Sequence, residues 1–259
     1  MRSTPALVLA LVLLAVGCRK SEPTSTSTQT STKPTEQEPP ASQTAPTTTQ
    51  LRSARPSREL MKDHFTAVVL VRDALIVGNL ELAKWNASFL ATRERDPAVA
   101  SWSVYVDHLR EQAAKVNDAP SLAAAAAAST ELALECGRCH AANGVTPVFP
   151  TVDRRVAASG PRPHMLRHQW AAEQMWDALI GPSEQRWYAG VTELAEAPLG
   201  QDEIFANASA IPAIAKLATD VHALGDEGRK ATTWSERANV YGRLIATCAS
   251  CHSAIPPFK

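Results

Sequence analysis

From Ser57 to the end of the chain, apolar residues recur at steps of three and four and strand-like alternation is almost missing, a pattern that predicts helices throughout. In the first half the predicted helices cover Ser57–Val77, stopped by Gly78-Asn79; Leu80–Arg95, broken by Asp96-Pro97; and Ala98–Val116, ended by Asn117 to Pro120. A fourth starts at Ser121 and runs through the alanines 123–128 to His140; polyalanine favours helix and lets neighbouring backbones approach closely. Residues 141–163 are rich in glycine and proline and read as a linker. The pattern then restarts: Arg162–Ile180, a turn at Gly181-Pro182-Ser183, a helix to about Ala197, then Ile211–Leu224, a loop from Gly225 to Gly228, and Thr233–Cys251.

The restart is a repeat. A constant offset lays Met61 on Met165, His64 on His168, Asp73 to Ile76 on Asp177 to Ile180, and Leu90-Ala91 on Leu194-Ala195. Before the last helix the second copy gains about eight residues, placed near Pro198 to Ala208. Four helices with short connections predict an up-down-up-down bundle, so the expected architecture is two tandem four-helix bundles, residues 57–158 and 159–259.

Ahead of them, residues 1–17 have a basic start, a short apolar run and a small residue before Cys18, the pattern of an export signal too short to span a membrane permanently. Leu14-Ala15-Val16-Gly17-Cys18 resembles a bacterial lipobox, with Ala15 departing from the preferred leucine. That resemblance implies lipidation of Cys18 and an anchor on the periplasmic face of a membrane. Residues 18–56, mostly Ser, Thr, Pro, Gln and Glu, lack the apolar content to offset ordering entropy and predict a disordered, extended tether. The 26 basic residues equal the 26 acidic ones, so the balance of charge gives no basic face and argues against nucleic acid as a partner.

Chemistry is concentrated in two short stretches, Cys136-Gly137-Arg138-Cys139-His140 and Cys248-Ala249-Ser250-Cys251-His252. Two cysteines separated by two residues and followed at once by histidine form the attachment pattern for c-type haem. Cys136, Cys139, Cys248 and Cys251 are read as thioether anchors of two haems, with His140 and His252 as proximal iron ligands. A disulfide framework would not require a histidine after each pair.

The opposite face of each iron is sought at the start of the first helix of each repeat. There the seams read Met61, His64, Val68, Val71, Leu75 and Met165, His168, Ala172, Met175, Leu179. The recurrent polar member is a histidine, and a buried imidazole needs a partner. His64 and His168 are therefore proposed as sixth ligands; Met61 and Met165, one turn earlier, are the alternative, and a five-coordinate iron the third possibility. His164 is a further candidate without a counterpart. His108 and His222 fall one residue off the core stripes of the third helices and are expected at the boundary. The six tryptophans are expected to pack the core or flank haem.

A four-helix bundle whose haem motif ends its last helix resembles the cytochrome c-prime and cytochrome c-556 family, here duplicated. The resemblance implies an exported protein whose iron is five-coordinate or takes a sixth ligand from the first helix, a methionine in the c-556 type. Together these readings predict a membrane-anchored dihaem cytochrome that passes single electrons between redox partner proteins. A gas or redox sensor and a dihaem peroxidase or reductase are the rivals, each needing an open iron position.

Overall fold

The amphipathic stripes do form helices, and in the computed structural model the described residues (48–93, 101–150, 160–196 and 212–254) hold eight of them and no strand. In chain order these are α1 Thr48–Ile76, α2 Leu80–Thr92, α3 Ser103–Asn117, α4 Leu122–Ala142, α5 Pro161–Ile180, α6 Glu184–Leu194, α7 Pro212–Lys230 and α8 Trp234–Ala254. The proposed signal, Cys18, most of the tether, the Asp96-Pro97 break, the insertion near Pro198 to Ala208 and the last five residues lie outside the described residues. None of the helices searched is long and apolar enough to cross a membrane.

Several starts are set by side chains that take up free backbone N–H groups. Asn79 Oδ1 accepts from Leu82 N at 3.0 Å, Ser121 Oγ from Ala124 N at 3.2 Å and Ser183 Oγ from Arg186 N at 3.3 Å. At α8 the exchange is reciprocal: Thr233 Oγ1 accepts from Glu236 N, and the Glu236 carboxylate accepts from Thr233 N.

Two boundaries depart from expectation. α1 begins at Thr48, not Ser57, because Gln50 to Ala54 are helix-compatible residues and Pro56 alone does not end the helix. α7 runs through Gly225 and Gly228 to Lys230, where a loop was expected. A Cβ at Gly225 would lie 2.5 Å from Ala195 N, and one at Gly228 2.6 Å from Val191 Cγ1. These glycines therefore mark where α7 presses on α6, and Trp187 Nε1 donates to Gly228 O at 2.9 Å across that contact.

Within each half, consecutive helices pack side by side: α1 on α2, α2 on α3, α3 on α4, and likewise α5 to α8. The halves also pack on each other, chiefly through α4 and α8, with α4 on α5 and α1 on α8 beside them. The alanines of α4 make this possible, since Gly242 of α8 sits where an added Cβ would be 3.4 Å from Ala127 Cα. All eight helices belong to one compact unit with a shared core that includes Val71, Leu75, Leu132, Met175, Leu179, Tyr241 and Leu244. The Trp176 and Tyr241 rings lie 5.6 Å apart in that core, and the Arg72 guanidinium of α1 covers the Trp176 ring at 5.7 Å. Nearby, Asp177 pairs with Arg186 at 3.1 Å; burial pushes its carboxyl up to about 6 against the pull of Arg186 and Arg72.

Candidate haem-attachment sites and a histidine cluster

Each motif occupies the last turns of a long helix, so its two cysteines, three residues apart, share a face. All four thiols are free and half-buried. Burial pushes the Cys136 and Cys248 thiols up to about 12, which keeps them protonated and slow to oxidise. Among the described residues the cysteines are thus available as pairs on one helix face.

The motif histidines are held in a way no helix pattern could reveal. His140 Nδ1 lies 2.8 Å from the carbonyl oxygen of Ile180, and His252 Nδ1 lies 2.7 Å from that of Ile76. A carbonyl only accepts, so in each ring Nδ1 carries the proton and donates, leaving Nε2 with the lone pair. Ile76 and Ile180 are counterparts in the repeat, each ending the first helix of the opposite half. Both contacts are close: a Cβ at Gly137 would fall 2.2 Å from Leu179 O, and one at Gly78 would fall 2.4 Å from Ser253 Oγ, just after the second motif. A histidine fixed through Nδ1 to a backbone carbonyl is the usual arrangement of a metal-binding imidazole. The donor set, two thiols and one oriented imidazole twice over, fits c-type haem.

Because α1 begins at Thr48, His64 stands past the middle of that helix and not at its expected start; it is buried, and burial, then Arg93, lowers its pKa. Arg93 forms a two-pronged pair with Asp63 at 3.1 and 3.2 Å. Met61 is half-buried and Met165 is 45% exposed. The buried seam enters instead through Leu60 in α1 and His164 in α5, one residue earlier. Further along, Val68, Val71 and Leu75, with Ala172, Met175 and Leu179, are buried as the spacing predicts.

The third-helix histidines part company. His108 has a side chain 53% exposed and stands 3.6 Å from Glu135, the residue before Cys136, which also pairs with Arg138. His222 is buried, not at a boundary; its Nδ1 donates to Leu194 O at 2.6 Å, and it meets His164 and His168. The three rings have centroids 4.3 to 5.3 Å apart, and their nitrogens come within 4.8 Å of one another. Burial, then the neighbouring His164 and His222, pushes His168 down to about 3. The signal for this cluster was present in the four-residue spacing of His164 and His168 on one helix face; what spacing omits is which helix covers that face.

The tryptophans also divide. Trp176 and Trp187 are fully buried whereas Trp85 is 71% exposed. The tail after the first motif folds back beside it: Phe149 packs on Phe65 and under Arg186, and Pro147 lies against Gly181. Next to the second motif, α7 and α8 leave a groove of about 450 Å³ lined by Lys216, Asp220, Arg243, Thr247 and Ser250 among others. Comparisons with protein-family models, characterised proteins and solved structures gave no match to this chain.

Proposed function

We propose that this chain is a dihaem c-type cytochrome that carries single electrons, built as a duplicated pair of four-helix bundles similar to the cytochrome c-prime and c-556 type. The supporting observation is the reciprocal anchoring of the motif histidines: His140 on Ile180 O and His252 on Ile76 O, each with Nε2 left as the metal-binding atom. Cys136 with Cys139 and Cys248 with Cys251 would hold the two haems. When bound, each haem supplies a one-electron couple whose potential depends on axial ligation and burial. Around it the protein fixes the proximal tautomer and half-buries the four cysteines.

His64 and His168 are proposed as the sixth ligands, with Met61 and Met165 as the alternative. The burial of His64 against the 45% exposure of Met165 favours the histidines. Export, lipidation at Cys18 and a place on the periplasmic face of a bacterial membrane complete the proposal, with redox proteins as partners.

A redox titration followed by electron paramagnetic resonance tests it. Two reversible one-electron couples with low-spin signals are expected in the wild type, and high-spin iron at the altered site in His64→Ala. Rapid carbon monoxide binding at both reduced irons would overturn the carrier reading in favour of a sensor or an enzyme.

A further inference from the structure

The three imidazoles of the second half are more than a distal position repeated. His164 and His222 are buried, and Nε2 of both His168 and His222 is enclosed without a hydrogen-bond partner. Leaving two buried ring nitrogens unpaired is costly, and the first half carries no such arrangement: Leu60 replaces His164, and His108 turns outward to Glu135. At His222 the choice of atom is fixed, because Nδ1 donates to Leu194 O and Nε2 must hold its lone pair towards the cluster.

From this geometry we infer that His164, His168 and His222 form a binding site for a divalent transition-metal ion of the zinc type, separate from the haems. Two histidines four apart on one helix with a third from a facing helix supply three neutral nitrogens, a set suited to zinc, copper or nickel and not to magnesium or calcium. Their ligand atoms lie within 4.8 Å of one another. Tetrahedral zinc, with Zn–N bonds of about 2.0–2.1 Å, needs them only modestly closer, which small ring rotations supply, and leaves a fourth position open. Charge does not oppose the ion: Arg167 beside the cluster is paired with both Glu193 and Glu196. Histidine Nε2 at position 168 serves one metal at a time, so an ion here competes with the proposed sixth ligand of the second haem. The site needs all three histidines, so it stands without the haem reading and shares His168 with it.

The test is equilibrium dialysis of the full exported chain, first stripped with chelator, against micromolar zinc, with zinc and haem counted on the same sample. A single equivalent of zinc per chain is expected. His164→Ala and His222→Ala should each weaken it by more than the ~10- to 100-fold that loss of a supporting residue costs, while His108→Ala leaves it unchanged. Helical circular dichroism checks folding, and His222→Gln provides a second, milder variant. Failure to retain zinc, or equal retention in the His164 and His222 variants, overturns the site. A chain that takes up zinc but carries no haem sinks the cytochrome reading and leaves this one standing; two haems with no zinc does the reverse.

Discussion

The two halves hold their motif histidines in the same way and diverge at the histidines of their first and third helices. His140 and His252 both donate to the last carbonyl of the opposite half's first helix, at 2.8 and 2.7 Å. Yet His64 lies beside an arginine and its aspartate, whereas its counterpart His168 is one of three packed imidazoles. The third helices differ as well. In the first half the exposed His108 stands 3.6 Å from the buried carboxylate of Glu135, the residue before the motif; in the second half that place is Thr247, and the buried His222 donates through Nδ1 to Leu194 O. The two halves thus share what anchors the motif histidine and differ at the histidines of their first and third helices.

The comparison breaks most directly at the motifs. Replacing Cys136 and Cys139 together by alanine should remove one haem of two, and the same change at Cys248 and Cys251 the other, read by haem content per chain. If either pair proves dispensable, the halves are not equivalent attachment sites.

A smaller effect probes an anchor that only the second half possesses. Arg237 is almost wholly buried, forms a two-pronged pair with Glu184 at 2.6 and 2.8 Å, and lies 4.4 Å over the Trp234 ring. Glu184 is 62% exposed and stays solvated when its partner goes, so Arg237→Ala should cost about 2 kcal/mol of unfolding free energy, mainly through lost packing on Trp234, measured by denaturant titration.

The backing of the motifs differs by one methyl group. Gly137→Ala forces a Cβ onto Leu179 O and should destabilise by about 2 kcal/mol, whereas the opposite change at its counterpart, Ala249→Gly, should cost about 1 kcal/mol through helix propensity. If Gly137→Ala costs no more than Ala249→Gly, α4 does not press on Leu179 O as closely as the geometry indicates.

A last effect, seen only as pH changes, concerns Asp177. Because burial raises Asp177 from 3.8 to about 6, the folded state holds a proton that the unfolded chain has already released. The penalty on folding is absent below about pH 4, grows as pH rises and is complete above about pH 6. Asp177→Asn should therefore gain on the wild type by about 3 kcal/mol between pH 4 and pH 7, in paired thermal melts. A difference that does not change over that range would place Asp177 in a wetter site than its neighbours Arg186 and Arg72 suggest.

Much of this architecture is set by local rules. The helix pattern, the caps at Asn79, Ser121 and Ser183, the buried seam from Val68 to Leu75 and the two attachment motifs all follow from residues within one or two turns of each other, where spacing alone fixes which side chains share a face. Tertiary structure decided the rest: that Ile76 and Ile180 carbonyls receive the motif histidines, that His222 completes a triad with His164 and His168, and that Gly225 and Gly228 lie inside a helix. The reason is physical. A helical period says which face will be buried but not which helix will cover it, and a backbone carbonyl, present in every residue, leaves no mark in the sequence to say which one will be chosen.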